Sequence, residues 1–115
     1  MPLFFLYGTS LPGQPDHGWI ADLPRAEGTA RGRLWCDKRR RPALVPDPRG
    51  KLIHGILVDV PDVRLPVLDL IEGGVPRRLL RVSRSLRSVE AWAWTLDAKT
   101  ARKNGYRPTD VTAWS

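Results

Sequence analysis

Residues 4–10, with the sequence FFLYGTS, predict how the fold begins. A short apolar and aromatic run that ends at a glycine is typical of a buried β-strand. Gly8 allows the backbone beyond the strand to approach a ligand closely, and Thr9 and Ser10 add two hydroxyl groups. Consecutive N–H groups at such a strand end can form a nest for an anion, although an ordinary turn would have the same sequence. We therefore expect a strand over residues 3–7, followed by a candidate binding loop.

Residues 68–73, with the sequence LDLIEG, form the second informative stretch. The pattern predicts an apolar helical turn that ends in a carboxylate and is followed by glycine. A negative charge at the end of a helix opposes the helix dipole, so Glu72 does not favour the helix itself. An apolar surround would raise its pKa and allow it to accept and return a proton near neutral pH. Glu72 is thus a candidate general acid/base, and the alternative is a glutamate that faces solvent.

The whole chain has eleven prolines and ten glycines, spread as turn signals between short apolar stretches. The turn-rich segment 46–50 is suited to a hairpin between its two flanking strands. Further strands are predicted in a second hairpin. The predicted strands cover residues 29–36, 43–45, 52–60, 79–82 and 89–96. This arrangement predicts an α+β protein, with a small mixed β-barrel and one or two short helices.

The first predicted helix covers residues 63–72, with Asp62 as its cap. One face of this helix collects four apolar residues, which are Val63, Val67, Leu68 and Ile71. A second helix is predicted over residues 97–104 and ends at Gly105. Two tryptophans of the last predicted strand, Trp92 and Trp94, lie on one side of it and are expected to fill the core.

A chain of 115 residues is long enough for one hydrophobic core, so we expect a single domain over 1–115. No apolar run reaches the length of a membrane span, and residues 1–6 lack the basic start of a signal peptide. The single cysteine, Cys36, excludes an internal disulfide and favours a cytoplasmic location. We expect Cys36 to be a buried apolar residue rather than a nucleophile.

The formal net charge of +7 raises the alternative of a basic nucleic-acid-binding domain. The basic residues form two groups, residues 38–41 and the arginines between residues 77 and 87. The arginines of the second group alternate in parity, so no single strand face collects them. Neither group is interleaved with the aromatic side chains on which bases stack. Solvated surface is therefore favoured over nucleic-acid binding.

Metal-ligating residue types are scattered rather than clustered. His17 and His54 are far from each other and from Cys36 in the sequence. Such spacing does not match the paired ligands of a zinc site. We expect no metal and no organic cofactor.

The two stretches, in this order and with strands between them, resemble the gamma-glutamylcyclotransferase-like family, of the gamma-glutamylamine cyclotransferase type. The resemblance covers most of the chain. Its specific parts are the loop at 7–10 and the segment 68–73, which resembles the family's catalytic segment. Residues 32–35, 53–60 and 89–94 are ordinary strands in the matching order.

The resemblance implies that Glu72 is the general acid/base and that Tyr7, Gly8, Thr9 and Ser10 hold a gamma-glutamyl group. In the implied reaction, the α-amine of a small gamma-glutamyl amine or peptide attacks its own γ-carbonyl. The products are 5-oxoproline and a free amine. No membrane is involved, and the oligomeric state stays open.

Two departures from the family pattern are present. Ser10 stands where the family usually has leucine, and the tyrosine expected near Glu72-Gly73 is absent. Arg77 is a candidate for binding a substrate carboxylate, because guanidinium groups form bidentate pairs with carboxylates. Pairing with Glu72 or exposure in a turn are its alternatives. The departures leave open a catalytically inactive module that binds a small ligand on the same scaffold.

Overall fold

The structure is a computed structural model that describes residues 2–115. Strands and short helices alternate along the chain, with 3-10 turns at His17–Trp19 and Asp62–Arg64. The elements in chain order are β1 (Leu3–Leu6), β2 (Arg25–Cys36), β3 (Pro42–Pro46), β4 (Lys51–Asp59), α1 (Leu65–Ile71), β5 (Arg77–Arg84), β6 (Arg87–Trp94), α2 (Ala98–Lys103) and β7 (Arg107–Pro108). No helix within residues 2–115 has the length and apolar character needed to cross a membrane.

Five strands close into a barrel. Strands β2, β4, β1, β6 and β5 are hydrogen-bonded in that order, and β5 pairs back with β2 where Ser83 lies opposite Thr29. The pairing of β1 with β6 is parallel and the others are antiparallel, so the barrel is mixed. Strands β3 and β7 extend the sheet along the end of β2. The predicted fold class, a small mixed β-barrel with short helices, is confirmed.

Strand β1 is buried on both faces, which explains its unbroken apolar sequence. Phe5 packs in the barrel interior with side chains from β2, β4, β5 and β6. Phe4 and Leu6 point the other way and pack with Leu68 of α1 and Trp94 of β6. Because α1 covers the outer face of β1, the end of this helix lies beside the end of the strand.

The first predicted hairpin is wrong, because β2 lies between β3 and β4. The early part of β2 pairs with β4 and its last part with β3, and Gly32 is opposite a residue of each. The predicted turn exists, with the N–H of Gly50 donating to the carbonyl of Asp47 over 2.9 Å. It passes close to β2 at Gly32, because a Cβ added at Gly50 would lie 2.7 Å from Cα of Gly32. The local turn is visible in the sequence, whereas the strand that separates its two arms is not.

The first helix is shorter than predicted, because its start is the 3-10 turn. Asp62 forms no capping hydrogen bond, and Val63 is 83% exposed because this turn carries it away from the face that holds Leu68. The second hairpin is confirmed as β5 and β6, and the second helix as α2. Asp97 caps α2 by accepting from the N–H of Thr100 over 2.7 Å.

The two tryptophans of β6 differ in burial. Trp94 is fully buried, because Phe4 stacks on it at a centroid distance of 4.9 Å and α1 covers it. Trp92 is 37% exposed, so the expectation that it fills the core is wrong. The two side chains share one side of the strand, but only Trp94 packs in the cluster that includes Leu68 of α1.

Candidate functional site

A cavity of about 210 Å³ opens where β1 ends. The four residues of the loop at 7–10 line it, and Glu72 at the end of α1 lines it as well. Sixty-two positions of sequence separate Ser10 from Glu72, and the packing of α1 on β1 brings the two motifs into one site.

The loop that follows β1 is held by its own carbonyl groups. The carbonyl of Gly8 accepts from the N–H of Leu11 over 3.0 Å, and that of Thr9 accepts from the N–H of Asp16 over 2.8 Å. The carbonyl oxygen of Ser10 lies 2.9 Å from Nδ1 of His17. The N–H groups of Gly8, Thr9 and Ser10 donate to no acceptor within residues 2–115. The loop therefore offers backbone donors, as an anion nest requires.

Gly8 is required by its neighbour. A Cβ added at this position would lie 2.7 Å from Cγ of Pro42, at the start of β3. This distance is shorter than real Cβ contacts allow. The glycine thus allows β3 to pack against the loop, in addition to any close approach of a ligand.

The side chain of Ser10 is an unusual feature of this loop. The residue is 3% exposed, and its Oγ has no hydrogen-bond partner within the described chain. A buried hydroxyl without a partner is unfavourable, and such groups are rare in folded proteins. Ser10 lines the cavity, but its Oγ lies beneath the cavity surface, so a ligand reaches this hydroxyl only when the side chain turns toward it.

The hydroxyl of Tyr7 is occupied. It donates to the backbone carbonyl of Trp94, and the residue is buried. Burial first, and then the charge of Glu72, raise the pKa of Tyr7 well above its usual value. The phenol therefore ties the end of β1 to β6, and only the backbone of Tyr7 is available to a ligand.

Glu72 lies directly after α1, and its N–H donates to the carbonyl of Leu68 over 3.0 Å. Burial raises the pKa of its carboxyl to about 7, and the charges of Asp16 and Asp69 add to this effect. Protonated and ionised forms of Glu72 are therefore both populated near neutral pH. A carboxyl with this property can both accept and donate a proton.

Arg77 is placed apart from the other predicted site residues. It does not line the cavity, and its Nε lies 3.3 Å from Oδ1 of Asp69. The same carboxylate oxygen accepts from Nε1 of Trp94 over 2.8 Å. Arg77 thus neutralises a neighbour of Glu72, without pairing with Glu72 itself.

Four polar residues of the cavity were not predicted from the sequence: Asp16, Arg41, Asn104 and Tyr106. Arg41 belongs to the basic run 38–41, which the sequence assigns to solvated surface. Asn104 and Tyr106 follow α2, where the predicted helix stop indicates only that the chain turns. The pKa of Tyr106 is raised mainly by burial and next by the charge of Asp37. The charge of Glu72 raises it further. Nothing in the local sequence indicates that these side chains reach the site.

Within residues 2–115, no group of His, Cys, Asp or Glu side chains has the arrangement of a metal site. Cys36 is a free, partly buried thiol in the last part of β2. The cavity is lined mainly by groups that form hydrogen bonds and by apolar side chains.

A family model described as "Gamma-glutamyl cyclotransferase, AIG2-like" matches residues 4–115. The chain belongs to this family. A search of curated proteins found no match.

Solved structures of similar fold include an AIG2-like protein from Mus musculus. It is 25% identical, with a TM-score of 0.69, over 84% of this chain and 77% of that one. YkqA from Bacillus subtilis is 16% identical, with a TM-score of 0.76, over 98% of this chain and 39% of that one. The uncharacterized protein PH0828 from Pyrococcus horikoshii is 19% identical, with a TM-score of 0.60, over 90% of this chain and 95% of that one.

The sequence lacks the tyrosine that its resemblance to the family leads one to expect after Gly73. Tyr106 follows α2 and brings a phenol to the cavity from a different part of the chain. The charge of Glu72 acts on its pKa, so the two groups are electrostatic neighbours. The cavity therefore has an aromatic hydroxyl near the carboxyl, although the sequence pattern around Glu72 lacks one.

Proposed function

We propose that this chain is a cyclotransferase that releases 5-oxoproline and a free amine from a small gamma-glutamyl amine or peptide. The observation that carries the proposal is the placement of Glu72. Its partly buried carboxyl, with a pKa of about 7, shares one cavity with the backbone donors of residues 8–10. Membership of the gamma-glutamyl cyclotransferase family supports the same reaction class.

Glu72 acts on two protons in the proposed reaction. Its carboxylate takes a proton from the α-ammonium of the substrate, and the free amine attacks the γ-carbonyl carbon. A new C–N bond closes the five-membered ring, and the C–N bond to the leaving amine breaks. Protonated Glu72 then gives its proton to that amine, takes the second proton from the ring nitrogen and passes it on, so that the amine leaves as an ammonium ion. Because amine and carbonyl belong to one molecule held in a folded conformation, most of the entropic barrier is removed.

The loop would act on the oxygen of the γ-carbonyl. Negative charge develops on this oxygen in the transition state, and preorganised backbone donors stabilise it. The N–H groups of Gly8, Thr9 and Ser10 are the available donors, because none of them has a partner within the described chain. Every protein group that acts in the proposed reaction belongs to this chain. We also propose that the protein is located in the cytoplasm.

The test is 5-oxoproline release from a panel of gamma-glutamyl amines and dipeptides. Wild-type protein should form product, and Glu72→Gln should lower kcat by about 1,000-fold, the usual range for general acid–base catalysis. Glu90→Gln, at an exposed glutamate of β6, is the matched control and should leave kcat unchanged.

Unchanged turnover in the Glu72→Gln variant would exclude this carboxyl as the acid/base. A titration of the same compounds separates catalysis from binding alone. Saturable binding to wild-type protein without 5-oxoproline would overturn the enzyme assignment in favour of the inactive binding module. Thermal unfolding of each variant verifies that the fold persists.

A further inference from the structure

Arg41 is the cation of the cavity: within the described chain, no other Lys, Arg or His lines it. The residue directly precedes β3, next to the Pro42 that packs on Gly8. Its guanidinium is therefore brought to the loop because the start of β3 packs against Gly8.

The position of Arg41 is fixed by Asp37. Oδ2 of Asp37 accepts from Nε of Arg41 over 2.8 Å, and Oδ1 accepts from the N–H groups of Arg39 and Arg41. The Asp37 side chain is 9% exposed, so this anchor is buried, whereas the Arg41 side chain is 56% exposed. A guanidinium held through Nε keeps its outer edge free for a second carboxylate.

The outer edge of Arg41 faces the end of α1. Nη1 and Nη2 form no hydrogen bond or ion pair with any residue of the described part of the chain. A Cβ added at Gly73 would lie 3.8 Å from Nη1, which places this nitrogen beside the residue that follows Glu72. Arg41 does not pair with Glu72, so both groups remain available to a ligand.

Charges of both signs thus line one small cavity. Glu72 and Asp16 provide carboxyl groups, and Arg41 provides the guanidinium. A gamma-glutamyl head group carries an ammonium and a carboxylate on the same carbon atom. When the ammonium is placed at Glu72, as the proposed reaction requires, the free edge of Arg41 beside Gly73 is the cationic group of the same cavity that can receive the carboxylate.

We propose that Arg41, held by Asp37, binds the α-carboxylate of the gamma-glutamyl substrate. This inference rests on the proposed function and adds a specificity-determining residue to it. Arg77, which the sequence favours for this role, is engaged by Asp69 outside the cavity. The substrate class is thereby narrowed to gamma-glutamyl compounds with a free α-carboxylate.

The test combines two variants with two substrates. One substrate is a gamma-glutamyl alkylamine, and the other is the same compound with its α-carboxylate converted to an amide. Arg41→Gln should raise the KM for the first substrate about 10- to 100-fold, because a charge-assisted hydrogen bond is lost. Amidation should raise the KM of the wild-type protein by a similar factor. It should raise the KM of the Arg41→Gln variant almost no further. Arg77→Gln, the matched control, should keep the wild-type response to amidation.

Several results would overturn the inference. One is an unchanged KM in Arg41→Gln. Another is an equal change in KM on amidation for wild-type protein and Arg41→Gln. A third concerns the leaving amine: if Arg41→Gln impairs only gamma-glutamyl amino acids, whose leaving amine bears a carboxylate, the residue serves that group instead.

A binding measurement separates this inference from the proposed reaction. 5-Oxoproline and its carboxamide are titrated into wild-type protein and Arg41→Gln, followed by NMR. Tighter binding of 5-oxoproline than of its carboxamide, lost in the variant, supports Arg41 even if wild-type protein forms no product. Equal affinity of the variant and wild-type protein for 5-oxoproline contradicts it, whether or not turnover occurs.

Discussion

Two groups of residues meet in the cavity, and they differ in how they come to be there. The first group is the loop at 7–10 with Glu72, and each part directly follows a regular element that packs on the other. The second group is Arg41, Asn104 and Tyr106. These residues lie between regular elements and reach the cavity from parts of the sequence that are distant from the loop at 7–10. The first group has the donors and the proton carrier for chemistry, and the second group has the free cation for recognition.

Under the two proposals above, chemistry and specificity belong to different parts of this small barrel. The first group depends on short-range sequence, namely a strand that ends at Gly8 and a helix that ends at Glu72. The second group depends on long-range pairing, because β3 must lie on the outer side of β2 before Arg41 can face Gly73. Changes in the second group can therefore alter substrate choice without removing the proton carrier.

The largest expected effect contrasts the two groups directly. Glu72→Gln should lower kcat by about 1,000-fold, because the proton carrier is lost. Arg41→Gln should change kcat less than about 3-fold and act on KM, since it removes binding that is equal in ground and transition states. Steady-state kinetics on one gamma-glutamyl alkylamine measure both. A kcat loss of similar size in the two variants would remove the distinction between the groups.

The second effect concerns stability. The pKa of Glu72 is raised from 4.5 to about 7, so between these values the folded state binds more protons than the unfolded state. The free energy of unfolding therefore falls as the pH rises through this range, by about 3 kcal/mol in total. Glu72→Gln should remove this loss and be more stable than wild type at pH 8, with little difference at pH 4. Urea unfolding at both pH values measures it, and a pH-independent difference would contradict it.

A smaller effect is expected at Ser10, within the first group. If its unpaired Oγ donates to the substrate, Ser10→Ala should lower kcat/KM by about 5- to 10-fold, the usual value of one hydrogen bond. The variant should be as stable as wild type or more stable, because no partner within the protein is lost. Activity and thermal unfolding are measured together. Full activity in this variant would show that the hydroxyl does not contact the substrate.

Asp16 should tune the first group without taking part in it. Its negative charge is the larger of the two charge effects that raise the pKa of Glu72. Asp16→Asn should therefore shift the acidic limb of the kcat/KM profile to lower pH, by less than about one pH unit. The pH profile of the variant measures this shift. A shift in the opposite direction would contradict the electrostatic account.

The smallest effect is expected at Arg77. Because it pairs with Asp69 outside the cavity, Arg77→Gln should change KM less than about 3-fold, in contrast to Arg41→Gln. Loss of its positive charge leaves Asp69 less neutralised, so the acidic limb of the pH profile should move slightly to higher pH. A KM increase as large as that of Arg41→Gln would restore Arg77 as the carboxylate-binding residue.

The sequence by itself determined the class of fold and the two motifs that meet in the cavity. The apolar run of β1, the second hairpin and the two helix stops are local signals, since each depends on residues within a few positions. The same holds for Gly8 and Glu72, which mark the ends of their elements.

Tertiary structure alone decided the position of β2 between β3 and β4 and the exposure of Trp92. It also decided that Arg41, and not Arg77, lies in the cavity with the carboxyl of Glu72. The physical reason is that strand order and side-chain direction are set by packing across the barrel. Hydrophobic pattern tells whether a strand is buried, but not which strand lies beside it. A charged residue in a loop has the same local sequence whether it faces water or a cavity, and only the closed barrel distinguishes the two.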